Sequence, residues 1–289
     1  MTCDTVTVGG VDVPAVGLGT WRLRGEDCRR AVETALELGY RHVDTAQAYD
    51  NERQVGAALE RSSVDREAVF LTTKLDGDSR SREAVRRSVD RSLRRLDTDY
   101  LDLLLIHWPN AKPPFSPVSL PGATPLSETL TAMADLVADG RVRHVGVSNF
   151  DVRLLDEARS LVDVPILTNQ VQFNPYWDQR NLLSYCRRHG ILLTAYSPLG
   201  HGGVLRDDVL TAIGRRYDKT AAQVAIRWAI QHDGVCTVPK ATSRDHLRAN
   251  LDVFDFELTD AEMERIRQPS KLRALTGFAR SRLADWADG

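Results

Sequence analysis

Four residues whose side chains can hold or move protons stand at or just after the ends of short apolar runs. Asp44 ends one run and Tyr49 follows it, while Lys74 and His107 end the next two runs. A lysine ammonium beside a phenol lowers the phenol pKa from about 10 toward a value that suits proton donation. With a carboxylate to hold the ammonium, these residue types predict a general acid at Tyr49. The alternative at this stage is an Asp44–Lys74 pair that only stabilises the fold.

Lysine is scarce in this chain, which makes the position of Lys74 informative. There are 5 lysines against 33 arginines, and two of the five, Lys74 and Lys240, stand at the ends of predicted strands. An arginine stays charged in any surroundings, whereas the pKa of a lysine shifts readily on burial. A compact charge with an adjustable pKa is therefore expected at Lys74.

His107 differs from the other histidines by its place in the pattern. It ends the most apolar run and precedes a Trp-Pro pair, whereas the other six stand at strand starts, in loops or on helices: His42, His144, His189, His201, His232 and His246. No second histidine or carboxylate has ligand spacing to His107, so no metal site is predicted. His107 is therefore grouped with the candidate acid–base residues.

The elements that must position these residues alternate along the chain. Eight apolar runs are predicted as strands: 15–18, 40–44, 69–73, 101–107, 142–148, 166–170, 191–196 and 235–239. Their apolar residues are mostly consecutive, as in parallel strands that are covered on both faces. Eight segments with apolar residues at i, i+3 and i+4 are predicted as helices: 28–38, 52–60, 82–96, 126–139, 153–161, 179–189, 221–231 and 245–250.

Eight strand–helix units with right-handed crossovers predict a single (β/α)8 barrel over residues 1–289. An open doubly wound sheet is the alternative, but no Gly-x-Gly-x-x-Gly follows any predicted strand.

Gly9 and Gly10 lie between two short apolar stretches and predict an N-terminal β-hairpin. A capping box from Thr259 to Glu262 predicts an extra C-terminal helix, and Thr124 is predicted to cap the helix that follows Pro125. The proline-rich segment 109–124 is long enough to predict a functional loop.

Composition excludes several classes of protein. The 289 residues are 42% hydrophobic and 27% charged with a formal net charge of −2, so no nucleic-acid partner is expected. Apolar runs are far shorter than the roughly 20 residues of a membrane span, and the N-terminus has no signal-like pattern. The four cysteines are scattered: Cys3, Cys28, Cys186 and Cys236. Reduced thiols and a cytoplasmic location are therefore expected.

In a barrel of this kind the active site lies at the carboxyl ends of the strands. Besides Asp44, Lys74 and His107, polar side chains lie at the ends of four more strands: Ser148, Asn149, Asn169, Gln170, Tyr196 and Lys240. Trp21 and Trp108 lie at predicted strand ends and, with Tyr49, predict an aromatic pocket.

At this point the sequence resembles a known family over nearly its whole length. The motifs are Gly17-Leu-Gly-Thr-Trp21, Asp44-Thr-Ala-Gln-Ala-Tyr49-Asp-Asn-Glu52, Lys74, His107-Trp-Pro109, Gly146-Val-Ser-Asn-Phe150, Asn169-Gln170, Ala195-Tyr-Ser-Pro-Leu-Gly200 and Pro239-Lys240. They look like those of the aldo-keto reductases, in the family's order and each at the expected strand. The closing part of the chain most resembles the small bacterial and archaeal members that reduce keto sugars and glyoxals. The family is a (β/α)8 barrel with an N-terminal hairpin.

The resemblance implies NAD(P)H-dependent reduction of an aldehyde or ketone by a monomer. The implied catalytic residues are Asp44, Tyr49, Lys74 and His107, with Tyr49 as the acid and His107 as the residue that orients the carbonyl. The implied cofactor-binding residues are Gly19, Thr20, Asp44, Ser148, Asn149, Gln170, Tyr196, Ser197, Leu199, Gly200, Lys240, Thr242, His246 and Asn250. The substrate would meet Trp21, Tyr49, His107 and Trp108, and no metal is implied.

One segment departs from the family's pattern for NADPH. Members that prefer NADPH follow strand eight with Lys-Ser and place an arginine four residues before an asparagine. Here Lys240 and Asn250 are kept, but Ala241 replaces the serine and His246 stands in the arginine position. A histidine is largely neutral at pH 7, so it grips a 2′-phosphate less firmly than arginine does. We expect NADPH to be favoured, with NADH also used.

Two other function classes compete with a reductase. A non-catalytic nicotinamide-binding sensor would not need the proton donor that this sequence keeps. A barrel hydrolase or isomerase would need paired carboxylates or metal ligands at the strand ends, where only Asp44 is found.

Overall fold

The computed structural model describes residues 4–77, 79–109 and 124–267. It begins with an antiparallel hairpin of β1 (Thr5–Val8) and β2 (Val11–Pro14). Gly9 and Gly10 turn the chain with φ of 59° and 80°, a conformation that favours glycine. Val13 packs against interior side chains of the neighbouring sheet, among them Leu103 and Leu167. The predicted hairpin is confirmed, and it packs onto the core of the barrel.

Eight parallel strands form the main sheet. They are β3 (Leu18–Gly19), β4 (His42–Asp44), β5 (Phe70–Leu75), β6 (Leu101–Ile106), β7 (Val142–Ser148), β8 (Ile166–Gln172), β9 (Leu192–Tyr196) and β10 (Val235–Thr237). Each strand pairs with the next in chain order. The sheet closes where Val16 bridges Thr237 and the Gly17 N–H donates to the Thr237 carbonyl at 2.8 Å. The predicted barrel is confirmed.

Closure of the barrel depends on a close approach at Gly19. The Gly19 N–H donates to the Pro239 carbonyl at 3.1 Å, and a Cβ at this position would lie 2.4 Å from the Val238 carbonyl oxygen. No larger residue fits there without moving the backbone. Gly19, which the sequence assigns to cofactor binding, is thus also required where the first and last strands meet.

Ten α-helices are described. They are α1 (Gly25–Leu38), α2 (Glu52–Arg61), α3 (Arg82–Leu96), α4 (Leu126–Ala138), α5 (Val152–Leu161), α6 (Arg180–Arg188), α7 (Asp208–Tyr217), α8 (Ala221–Ile230), α9 (Arg244–Leu251) and α10 (Asp260–Arg267). All eight predicted helices are present, and α10 is the predicted extra helix, with the Thr259–Glu262 capping box formed. Helix α7 was not predicted. Helix α4 begins at Leu126 as predicted, but its N-cap is Pro125 and not Thr124.

The helices cover the sheet and form one large apolar core with it. Every residue of β6 is buried, and the buried core includes Trp228 of α8 stacked on Phe173 at 4.9 Å between ring centroids. Cys28, Cys186 and Cys236 are buried and form no disulfide with one another; Cys3 lies outside the described residues. None of the helices described is long and apolar enough to cross a membrane.

The start of β4 carries a buried histidine that should make the fold sensitive to acid. Burial lowers the pKa of His42 from 6.5 to about 4, and its Nε2 lies 3.3 Å from Thr72 Oγ1. Because the folded pKa is below the unfolded one, the unfolded chain binds a proton that the folded chain does not bind as pH falls below 6.5. This group therefore contributes stability that is present above pH 6.5 and lost as pH falls toward 4.

We predict that His42→Phe reduces the acid dependence of unfolding. At pH 5 the parent should lose about 2 kcal/mol of stability through this group, and the variant should not. Urea unfolding at pH 7.5 and pH 5 measures the difference, with exposed His246 changed to Gln as the matched control. Equal losses in the parent and in His42→Phe would contradict the prediction.

Candidate active site

The centre of the site is the buried ammonium of Lys74. Its Nζ donates to Asp44 Oδ1 at 2.6 Å and to the Thr45 carbonyl at 2.8 Å, and it lies 3.4 Å from the Tyr49 hydroxyl. The Lys74 side chain has no exposed surface, and Asp44 is nearly as buried. Strands β4 and β5 are adjacent, so the carboxylate at the end of one meets the ammonium near the end of the other. The structure thus brings together three of the predicted catalytic residues.

Tyr49 reaches Lys74 because the chain turns sharply after β4. Residues Gln47–Tyr49 form a short 3-10 turn, and Asp50 then takes a left-handed conformation with φ of 53°. The buried Asn51 holds this turn against the loop after β3, since its Nδ2 donates to the Thr20 and Leu23 carbonyls at 2.8 and 3.0 Å. Asn51 was not predicted as a site residue. The feature of the sequence that could have indicated this role is an asparagine two residues after Tyr49.

Burial and the neighbouring charges change the pKa values of Lys74 and Tyr49. Burial alone lowers the pKa of Lys74, but Asp44 and Tyr49 raise it, and the result lies above the usual lysine value. Burial raises the pKa of Tyr49, Lys74 lowers it and Asp44 raises it, and the result lies above the usual tyrosine value. The sequence predicted that Lys74 lowers the phenol pKa. That direction holds for the effect of Lys74, but the net pKa is raised because burial outweighs it.

His107 faces Tyr49 from the end of β6. The two rings meet edge to face with centroids 5.7 Å apart. Burial and, to a smaller extent, nearby Lys74 lower the pKa of His107, Asp44 raises it, and the net result is a pKa of about 3. The imidazole is therefore neutral at physiological pH and can donate one N–H hydrogen bond. The N–H of His107 and the O–H of Tyr49 can therefore both donate a hydrogen bond to the same acceptor oxygen of a ligand.

A set of amides joins this charged centre to the opposite side of the barrel. Gln170 Nε2 donates to Asp44 Oδ2 at 2.7 Å, and Ser148 Oγ donates to the Gln170 carbonyl at 2.7 Å. Asn149 has a left-handed φ of 63°, its Nδ2 donates to the His107 carbonyl at 3.0 Å, and its Oδ1 accepts from the Tyr196 hydroxyl at 2.9 Å. Gln170 is buried, and its side-chain amide thus connects β8 directly to β4.

These amides and the ring of Tyr196 suit a planar carboxamide ligand such as nicotinamide. Gln170 Oε1 accepts no hydrogen bond from the described residues, so it remains available to an amide N–H donor. Tyr196 is only partly buried, its hydroxyl is held by Asn149, and an aromatic ring at this place is of the type that stacks on nicotinamide. The donor set and the ring therefore fit the group that the sequence predicted for Ser148, Asn149, Gln170 and Tyr196.

The remaining predicted cofactor residues lie in three places. Thr20 is buried and donates from its hydroxyl to the Asp44 carbonyl at 3.0 Å. Ser197, Leu199 and Gly200 follow β9 in a loop with Ser197 and Gly200 at positive φ. Lys240, Thr242 and His246 are exposed beyond β10 and at the start of α9, whereas Asn250 is buried near the end of the same helix.

The two predicted substrate tryptophans differ in their surroundings. Trp21 is 38% exposed, with the Arg22 guanidinium 4.3 Å above its ring and the His201 ring edge to face at 5.9 Å. Trp108 lies beside His107 with ring centroids 6.4 Å apart. The loop expected to line the pocket, 109–124, and the tail after residue 272 lie almost wholly outside the described residues.

Arg80 is a further residue that the sequence did not single out. Its guanidinium donates to the Trp108 carbonyl, to the Gly77 carbonyl at 3.1 Å and to the Pro109 carbonyl at 3.4 Å. These bonds tie the loop after β5 to the chain that leaves His107. Within the parts of the chain that are described, no three His, Cys, Asp or Glu residues are grouped as metal ligands.

Comparisons with known proteins identify the family of this chain. The family model for the aldo/keto reductase family matches residues 15–271. The chain is 39% identical over 265 residues to a glyoxal reductase of Bacillus subtilis, covering 91% of each chain. It is 39% identical over 251 residues to a methylglyoxal reductase of Escherichia coli O157:H7, covering 86% of this chain and 90% of that one. A crystal structure of a Bombyx mori aldo-keto reductase in complex with NADP is 35% identical with a TM-score of 0.84, covering 93% of each chain.

We predict that His107 stays neutral across the physiological pH range. Its imidazole C–H proton resonance should keep a constant chemical shift from about pH 8 to about pH 4.5, because burial and Lys74 disfavour the charged ring. Proton NMR measures the titration, and the missing signal in His107→Gln assigns it. In Lys74→Met the pKa of His107 should rise, since a cation is removed and Asp44 remains. A titration of His107 near pH 6.5 in the parent would contradict this description of the site.

Proposed function

The chain belongs to the aldo/keto reductase family, and from this premise we propose that Tyr49 donates the proton in its reaction. The protein is an NAD(P)H-dependent oxidoreductase that reduces an aldehyde or ketone to the alcohol. The observation that supports the role of Tyr49 is its hydroxyl, 3.4 Å from a buried ammonium and edge to face with a neutral imidazole.

In the proposed mechanism Tyr49 and His107 both bind the carbonyl oxygen. The phenol is protonated at physiological pH because its pKa is raised, so it is ready to donate. The neutral His107 donates a second hydrogen bond and orients the carbonyl. As negative charge develops on the oxygen, these two donors and the nearby ammonium of Lys74 stabilise it, which is the largest effect that such a site can supply. The proton of Tyr49 then passes to that oxygen.

Lys74 has a second task, which is to ease the loss of that proton. The ammonium stabilises the phenolate left on Tyr49, and its hydrogen bonds to Asp44 and the Thr45 carbonyl keep it from moving away. Asp44 in turn is held by Gln170. We propose Asp44 and Lys74 as the pair that adjusts the acid rather than as a structural ion pair.

The residues that fit the cofactor lie on both sides of this centre. Gln170, Asn149 and Ser148 would hold the carboxamide and Tyr196 the nicotinamide ring, while the residues after β9 and β10 would hold the phosphates. NADPH bound in this way supplies the hydride for the carbonyl carbon.

For the substrate we propose a small α-oxoaldehyde such as methylglyoxal. The support is the likeness to a glyoxal reductase and a methylglyoxal reductase, together with the aromatic side chain of Trp108 beside His107 and that of Trp21 shortly after β3. We also propose that the protein acts as a cytoplasmic monomer without a nucleic-acid partner. The support is the near-neutral charge balance and the buried free cysteines among the described residues.

We predict that Tyr49→Phe lowers kcat for methylglyoxal by at least about 100-fold, the usual contribution of a positioned proton donor. The NADPH dissociation constant should stay close to that of the parent, because the ring is kept and only the hydroxyl is lost. Tyr217→Phe, which removes a hydroxyl bonded to Glu262, is the matched control and should keep full turnover. Substantial reductase activity in Tyr49→Phe would exclude Tyr49 as the acid.

The cofactor preference should depend on the start of α9. Ser243 caps this helix, and its hydroxyl accepts from the His246 N–H at 3.2 Å. Arg244 forms an ion pair with Glu37 of α1 at 2.7 Å, and Arg248 lies 3.9 Å from Asp245. Both arginines therefore pair with acidic residues of this chain. Neither takes over the phosphate-binding role of the arginine that His246 replaces. We propose that NADPH is favoured through Lys240 and Thr242 while NADH is also accepted.

We predict that His246→Arg increases the NADPH preference about 10- to 100-fold, the gain from one charge-assisted contact. The measurement is the ratio of kcat/KM for NADPH and NADH in the parent and the variant. A parent that already discriminates several-thousand-fold, or an arginine variant without gain, would contradict this account of position 246.

A further inference from the structure

The loop between β9 and α7 has a conformation that needs outside support. In this 197–206 loop, four residues have positive φ: Ser197 at 49°, Gly200 at 52°, His201 at 51° and Gly202 at 85°. Two of the four are not glycine, and such residues persist in this strained conformation only when the surrounding structure holds them there. Something in the neighbouring structure must therefore hold the loop.

Tyr176, in the connection after β8, lies against this loop along its length. Its ring is so close that a Cβ on Gly200 or Gly203 would lie 3.2 or 3.3 Å from the ring carbons. Its hydroxyl is 2.7 Å from Asp207 Oδ2 and 3.3 Å from the Gly203 carbonyl. Since a phenol donates one proton, the short bond to the carboxylate is the main one.

Asp207 and Asn174 complete the support at the two ends of the loop. Asp207 is buried and caps α7, because its Oδ1 accepts from the backbone N–H groups of Val209 and Leu210 at 2.9 and 3.0 Å. Asn174 Nδ2 donates to the Ser197 carbonyl at 3.0 Å, and Asn174 Oδ1 accepts from the Tyr176 N–H at 3.0 Å. The loop is therefore fastened at residues 197, 203 and 207 to one short segment of chain.

We propose that Tyr176, acting through its hydrogen bond to Asp207, is a positioning residue that holds the 197–206 loop in the conformation that receives the cofactor pyrophosphate. This inference rests on the proposed function, in which Ser197, Leu199 and Gly200 of this loop bind the pyrophosphate. Neither Tyr176 nor Asp207 needs to touch the cofactor. When the bond is lost, the loop spends less time in the receptive conformation, and the apparent affinity falls in proportion to that fraction.

The test compares two variants, each of which loses one hydrogen bond between a tyrosine hydroxyl and an aspartate. Tyr176→Phe should raise the NADPH dissociation constant about 10-fold, the equivalent of one hydrogen bond to a charged group, and should raise the dissociation rate. The matched control is Tyr185→Phe, since the Tyr185 hydroxyl donates to Asp156 at 2.6 Å in the surface pair of α5 and α6. The control should bind NADPH as the parent does.

Two further measurements separate loop positioning from general destabilisation. The effect of Tyr176→Phe should appear in KM for NADPH and not in KM for the carbonyl. Adenosine 2′-monophosphate, which has the 2′-phosphate but no pyrophosphate, should bind the parent and the variant equally in competition assays. Asp207→Ser should reproduce the loss of NADPH affinity, because serine still caps α7 but does not reach the phenol.

The outcomes distinguish this inference from the function on which it rests. A parent that neither binds NADPH nor reduces carbonyls would overturn the proposed function. A parent that does both, with equal NADPH affinity in Tyr176→Phe, would overturn the role of Tyr176 and leave the function intact. Equal weakening of NADPH and adenosine 2′-monophosphate binding would also overturn it, since the cause would then be general destabilisation.

Discussion

The buried charge of Lys74 is the constraint on which the active site depends. An ammonium without exposed surface costs several kcal/mol unless its three donors are satisfied. Here they meet Asp44, the Thr45 carbonyl and the Tyr49 hydroxyl. Removal of any of these partners leaves charge or polar groups unpaired in the interior. The conformation of the chain from the end of β4 through Tyr49 is therefore tied to the position of one side chain on β5.

The same charge explains why the barrel must close around the site. Asp44 binds Lys74 with one oxygen and Gln170 with the other. Gln170 lies on β8, four strands away from β4 in the sheet, so the bond runs across the mouth of the barrel. Such a contact forms only when the sheet curls back on itself, and closure at Gly19 brings the first and last strands close enough. The acid–base centre and the amides that fit nicotinamide are therefore parts of one hydrogen-bonded network.

The two ends of the site differ in physical character. Around Lys74 the side chains are buried, their hydrogen bonds are satisfied and a substitution disturbs several partners at once. Beyond β10, Lys240, Thr242 and His246 are exposed and make few contacts with the rest of the fold. Changes there alter how a phosphate is held without altering the proton chemistry. Between these two ends, the 197–206 loop is strained and takes its shape from the residues that pack against it.

The amino-acid sequence determined the alternation of elements, the barrel, the N-terminal hairpin and the catalytic candidates, because each of these depends on local periodicity or on residue type at or near a strand end. The cofactor-binding candidates came from the family resemblance. It did not predict α7, whose ten residues follow the irregular loop after β9 and bury only two apolar side chains, Leu210 and Ile213. Nor did it predict that Gln170 binds Asp44, since the two residues are 126 positions apart. The net pKa of Tyr49 was likewise decided by the tertiary structure. Lys74 lowers it, as its charge requires, but the degree of burial raises it more, and burial is set only when distant segments pack together.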